Sequence, residues 1–131
     1  MAKATNRYFH FLGTSNDVKP SGKLWYPSAD VYATPNGWLV KVELAGVSAE
    51  DLEIDIQGNQ LYIAGARRDR TCSHGISYQM EITYSRFEKT LQFPASIDGA
   101  HIEHNFDNGL LIIHLLKTKT TDEPKVRKAQ K

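Results

Sequence analysis

The sequence predicts an all-β antiparallel sandwich. Three observations predict it. Apolar residues alternate with period two through most of the chain. Gly, Pro and Asn-Gly turn signals interrupt that alternation at roughly 8–12-residue spacing. Helix signals are nearly absent. A length of 131 residues suits one domain with short arms, and such a domain buries enough surface to fold without disulfide or metal staples. At 40% apolar and 24% charged, the composition is that of an ordinary globular protein and excludes a disordered chain.

The elements follow in order. In Gly37–Leu44, the residues Trp38, Val40, Val42 and Leu44 share one parity, while Leu39, Lys41 and Glu43 take the other. Ser48-Ala49-Glu50-Asp51 resembles a capping box, but strand pattern follows at once, so one helical turn at most is expected. Leu52, Ile54 and Ile56 point inward and Glu53, Asp55 and Gln57 outward. The turn Gln57-Gly58-Asn59-Gln60 then leads into QLYIAGA, because Gly and Asn tolerate positive φ. Phe87, Lys89, Leu91 and Phe93 share a face of a strand that Pro94 ends. HIEHNF, the turn Asp107-Asn108-Gly109 and LLIIHLL form a second hairpin. The last strand is apolar on both parities, as expected of one buried on both faces.

Charge is unevenly spread under a net of +1. Residues 1–24 carry +3, residues 25–116 carry −6 and residues 117–131 carry +4. Basic arms on an acidic body read as solvated segments that contact the body or a partner. No specific nucleic-acid binding is expected, because the body repels phosphate and the C-terminal arm lacks aromatics for stacking. The start of the chain has no apolar signal-peptide core, and the longest unbroken apolar run is Leu110–Ile113. A membrane span would need roughly 20 such residues. With Cys72 as the single cysteine, no intrachain disulfide forms, and a reducing cytoplasm is the expected compartment.

Catalytic patterns are missing, and no cofactor is expected. Gly22-Lys23 precedes Leu24 and lacks the upstream glycine of a phosphate-binding loop. His101 and His104 lie three apart on a strand and so point to opposite faces. His104 and His114 could face each other across the last hairpin, a weak metal candidate with no fixed third ligand. Glu50, Asp51, Glu53 and Asp55 read as solvated charge on an exposed face. Cys72 lies between Arg70 and His74, which could lower its pKa, though an inert loop thiol is the plainer reading.

Residues 25–117 resemble the α-crystallin domain of small heat-shock proteins of the bacterial and plant branch. In the first half the resemblance rests on Trp25, Pro27, Asp30, Thr34, Leu44, Gly46, Val47, Glu50, Asp51, Leu61, Ile63, Gly65 and Arg67. In the second half Glu81, Phe87, Pro94, Ile102, Phe106, Asn108, Gly109 and Leu111 fall on the family pattern. No single motif is specific; their order and spacing are. The resemblance implies an immunoglobulin-like antiparallel β-sandwich over residues 25–117, an N-terminal arm (1–24) and a C-terminal extension (118–131). It implies an ATP-independent holdase that binds unfolding client proteins, and no enzyme.

Further expectations come from the same resemblance. Client binding is assigned to Tyr8, Phe9, Phe11 and Leu12, which could equally pack on the protein's own body. A groove is assigned to Leu52, Ile54, Ile56, Ile102, His104 and Phe106. A homodimer by strand exchange is implied, in which residues 78–81 form an extra strand lent to the partner's Ser28–Ala33. Its interface would include Val31, Tyr32, Tyr78, Met80 and Lys89. Lys89 stands where the family has an arginine, Ser85 where it has a glycine and His104 where it has an alanine. The tail keeps Pro124 and Val126 of the family's anchor but has Ala129 and Lys131 for its two isoleucines, so a dimer or weakly associating dimers are expected. Two other classes stay open: a co-chaperone of the CS-domain kind, which lacks the strand-exchange loop, and an extracellular sugar-binding sandwich, which presents tryptophans on an open face.

Overall fold

The computed structural model describes residues 23–71 and 74–117. Seven strands follow in chain order: β1 (Ala29–Thr34), β2 (Gly37–Glu43), β3 (Leu52–Gln57), β4 (Gln60–Ala66), β5 (Arg86–Gln92), β6 (His101–Asp107) and β7 (Leu110–Leu116). They make a four-stranded sheet in the order β1-β2-β7-β6 and a three-stranded sheet in the order β3-β4-β5. Every strand pairing is antiparallel. The one helical piece among the described residues is the 3-10 turn Ala49–Asp51. Ser48 gives it no side-chain cap, and Leu52 is already extended, so the turn goes no further.

The inward parities meet as the alternation requires. Val40 and Val42 of β2 lie opposite Ile113 and Leu111 of β7, and all four are fully buried. Leu61 and Ile63 of β4 and Phe87 of β5 supply the facing layer, also fully buried. Each such side chain contributes roughly 1.5–3 kcal/mol by leaving water. Edge-to-face ring pairs, Trp38 on Phe93 at 5.0 Å and Trp25 on Phe87 at 5.7 Å, pack at the border of this core.

One turn and one strand position need their residue types. Asn108 (φ 50°) and Gly109 (φ 83°) close a two-residue hairpin that pairs Asp107 with Leu110. Gly65 answers a different constraint: a Cβ there would fall 2.0 Å from the Asp51 carbonyl oxygen. The 3-10 turn therefore lies directly on β4.

One expectation is corrected. Strand β7 is buried on one face only: Leu111, Ile113 and Leu115 are in the core, while Leu110, Ile112 and Leu116 are half-buried and His114 is exposed. Among the described residues nothing covers the outer face of this sheet, so the second apolar parity of β7 is only half-buried. Residues 78–81 form no strand within the chain, since none lies between β4 and β5. An isolated extended segment leaves its backbone groups without a ladder, and pairing requires an edge that this chain does not offer to its own loop.

Candidate functional site

The order of the strands fixes which edges lie together. The Trp25 amide donates to the Arg86 carbonyl at 2.9 Å, and the Trp25 carbonyl accepts from the Glu88 amide at 3.1 Å. The segment leading into β1 thus runs beside β5, so β1 and β5 border one side of the sandwich. The other edge strands, β3 and β6, border the opposite side.

On the β3–β6 side, Leu52, Ile54 and Ile56 are half-buried and pack against the core. Ile102 and Phe106 of β6 do the same from the other sheet. His104 shares their parity, opposite Ile113, yet is exposed. The structure therefore brings the six groove residues to one open side, with an imidazole in the middle of the β6 row. A sheet edge lined by half-covered apolar side chains can accept another extended segment.

On the β1 side, Val31 (40% exposed) faces the core parity opposite Val40, and Tyr32 (45% exposed) faces outward opposite Leu39. The Lys41 ammonium sits 5.1 Å from the Tyr32 ring centroid. Lys89 of β5 lies opposite Ile63 on the parity of Phe87 and Leu91, half-buried. In the β4–β5 loop, Ile76, Tyr78, Met80 and Ile82 alternate along the chain, and all are exposed, Tyr78 at 98%. The sequence reading had named Tyr78 and Met80; Ile76 and Ile82 extend the same parity and were legible by the same period.

The loop stem is built from Asp51 and the arginines that follow β4. Asp51 is buried, not solvated, and this corrects the reading of the four acids as surface charge. Its Oδ2 lies 2.6 Å from Arg70 Nη2, which donates a hydrogen bond, and 3.0 Å from Arg68 Nε. The Arg68 contact is an ion pair whose N–H does not point along a hydrogen bond to that oxygen. Arg67 lies over the Trp25 ring at 4.1 Å. Its Nε donates to the Thr83 carbonyl at 2.9 Å and its Nη1 to the Ala45 carbonyl at 3.1 Å. Burial lowers the Arg67 pKa from the usual guanidinium value, opposed by Tyr84, and the group stays charged.

The histidine reading is also corrected. The two-residue turn sets Glu103 opposite His114 and His104 opposite Ile113. His104 and His114 therefore point to opposite faces and cannot share a ligand. His101 Nε2 lies 3.2 Å from Glu103 Oε2 on the outer face. Among the described residues no three His, Cys, Asp or Glu side chains converge as a metal site. Tyr8, Phe9, Phe11, Leu12, Cys72 and the tail residues Pro124, Val126, Ala129 and Lys131 lie outside the described residues. Arg70, one of the cations flanking Cys72 in sequence, is held by Asp51 and lies 3.6 Å from Glu50. Among the described residues no helix is long and apolar enough to cross a membrane.

Comparison with known proteins places this geometry. Residues 30–130 match the Hsp20/alpha crystallin family. The chain is 36% identical over 107 residues to heat shock protein 16 of Schizosaccharomyces pombe, covering 79% of this chain and 69% of that protein. It is 30% identical over 105 residues to small heat shock protein C2 of Rickettsia felis, covering 79% of this chain and 66% of the relative. The solved structure of heat shock protein 16.0 from S. pombe superposes with a TM-score of 0.63 at 32% identity, over 78% of this chain and 96% of that one. With the family matched over residues 30–130 and a solved relative superposing at 32% identity, the chain belongs to the Hsp20/alpha crystallin family.

Proposed function

We propose that the chain is an ATP-independent holdase, binding partly unfolded proteins and keeping their apolar segments from one another. The observation that supports it most is the β3–β6 side, where Leu52, Ile54, Ile56, Ile102 and Phe106 stand half-covered along two edge strands. Such a surface selects for exposed apolar, extended chain rather than for a shaped ligand, which is what an unfolding client presents. Tyr8, Phe9, Phe11 and Leu12 are the second client surface. No cofactor, specific nucleic-acid contact or catalytic step enters this reading, and a reducing cytoplasm is its compartment.

The proposed assembly is a dimer by strand exchange. Residues 78–81 of each chain pair with Ser28–Ala33 of the other, on the free side of β1. The pairing covers Tyr78, Met80, Val31 and Tyr32 and supplies the ladder that the loop lacks alone. It also leaves the β3–β6 side free for clients. Lys89 belongs to this interface in the proposal, with its ammonium near a carboxylate of either chain; as a point charge it lacks the fork of an arginine.

Light scattering of a heat- or reductant-destabilised client tests the reading. Near-stoichiometric chain should suppress aggregation equally with and without ATP, and deleting residues 1–24 should weaken the suppression while leaving the sandwich folded. Unchanged scattering at excess chain, or suppression that requires ATP, would defeat it.

A further inference from the structure

The outer face of the four-stranded sheet carries an apolar stripe that the sandwich does not use. Leu39 of β2 and Leu110, Ile112 and Leu116 of β7 lie on the parity opposite the core and are half-buried among their neighbours in the sheet. Tyr32 of β1, opposite Leu39, extends the stripe to the sheet edge. Cross-strand and diagonal neighbours in a sheet stand close enough to touch, so the five side chains form one patch. Its rim is polar and acidic. Asp30, Glu43, Glu103 and Asp107 share the face with Lys41, with His101 beside Glu103, and with His114, which lies opposite Leu39 between Ile112 and Leu116, so four carboxylates face one ammonium and two imidazoles.

We propose that this stripe is the docking site of the chain's own segment Tyr8–Leu12. Composition favours that occupant. Residues 1–22 hold Tyr8, Phe9, Phe11 and Leu12, flanked by Lys3, Arg7 and Lys19 against Asp17, an apolar centre with a basic surround. That matches an apolar stripe with an acidic rim. The C-terminal residues 118–131 are basic too, but Pro124, Val126 and Ala129 are their only apolar side chains. A second copy laid face to face would set four carboxylates against four.

The path is short enough. Trp25 is fixed beside β5 by its two backbone hydrogen bonds, and Trp25, Glu43 and Leu110 line one shallow depression at the end of the stripe. The 13 steps from Leu12 to Trp25 span up to ~40 Å when extended. From Leu110 to Leu116 the stripe runs ~20 Å. Phe9 and Phe11 therefore reach every position on it within one chain. This proposal is independent of the holdase reading, since docking is measured with no client present.

Cross-linking of the full chain tests it, in a Cys72→Ser background. Phe11→Cys is combined with Ile112→Cys on the stripe or with Thr90→Cys, exposed on the outer face of the other sheet. Under mild oxidation the Phe11–Ile112 pair should form about tenfold faster than the Phe11–Thr90 pair, because docking raises the local concentration of one thiol at the other. Mixing isotope-labelled and unlabelled chains should show the bond within single chains. Equal rates, no bond at position 112, or bonds only between chains would each overturn the proposal, the last by making a second copy the partner. Should Ile112→Cys impair folding, Leu39→Thr in the otherwise native chain gives a second reading. Chymotrypsin should then cut after Phe9 and Phe11 severalfold faster than in the native chain, and an unchanged rate counts against docking. Capture of an added unfolded client at position 112 while Phe11 forms no bond there would assign the stripe to clients and refute the proposal.

Discussion

Asp51→Ala removes a buried carboxylate from between two guanidinium groups, and the loss divides unequally between them. The Arg68 side chain is 9% exposed and has little access to water, so the loss of Asp51 removes a carboxylate from a buried cation. The Arg70 side chain is 47% exposed and can turn to water. Breaking a buried pair costs roughly 3–5 kcal/mol; with one of the two cations buried rather than both, ~3 kcal/mol is expected. Glu50→Ala is the control. Glu50 precedes Asp51 and reads identically in sequence, but its side chain is 74% exposed and 3.6 Å from Arg70. Its loss should cost under about 0.5 kcal/mol. Asp51→Leu combined with Arg68→Met should recover most of the deficit, because apolar groups of similar volume carry no desolvation cost. Urea unfolding followed by tryptophan fluorescence measures all three variants. Protein concentration must be held fixed, since any self-association would add concentration-dependent stability. Equal losses for Asp51→Ala and Glu50→Ala would refute the assignment of Asp51 as the buried anchor of the loop.

Gly65→Ala forces a Cβ to within 2.0 Å of the Asp51 carbonyl and 2.9 Å of Phe87 Cζ, and should lower stability by about 3 kcal/mol in thermal melts. Gly58→Ala, which meets nothing within 4 Å and is strained only by its φ of 65°, should cost about 1 kcal/mol. Gln79→Pro and Met80→Pro each delete one backbone N–H from the proposed lent strand. Adjacent residues aim their N–H groups to opposite sides, so at least one variant should give a folded monomer by analytical ultracentrifugation. Two full-strength dimers would count against exchange through these residues. Ala129→Ile with Lys131→Ile should raise the native mass of the assembly by light scattering, since two apolar anchors on one tail gain effective concentration that one lacks. A native chain already at twenty-four subunits would show that the tail does not set assembly size.

The strands and core were legible because burial on one face leaves a period of two, and Val40, Val42, Leu111 and Ile113 fall on it without exception. The histidine error was avoidable. A two-residue turn at Asn108-Gly109 fixes Asp107 opposite Leu110, and counting outward from it pairs His104 with Ile113, not His114. Asp51 was not legible. Four acids sit within six residues, and what buries the second is distant in sequence: the bare Gly65 that lets the 3-10 turn lie on β4, and the arginines that follow β4. The groove residues carried their alternation in plain view, but only the sheet order shows that β3 and β6 border the same side. The loop row Ile76–Ile82 has strand periodicity, yet the described residues form no strand there and its apolar side chains are exposed.

The Arg67 contacts have a kinetic consequence. The Arg67 amide donates to the Ser85 carbonyl at 3.0 Å, and its guanidinium reaches the Thr83 carbonyl and the Trp25 ring. Both feet of the loop are thus clipped together inside one chain, like a carabiner whose gate is closed before any partner arrives. In the proposed strand-exchanged dimer, a partner leaving the loop need disturb nothing below Thr83. Chains would then trade partners at a rate set by the lent segment alone, with the sandwich acting as an inert handle. In a denaturant series, partner exchange should accelerate well before tryptophan fluorescence reports any loss of the core.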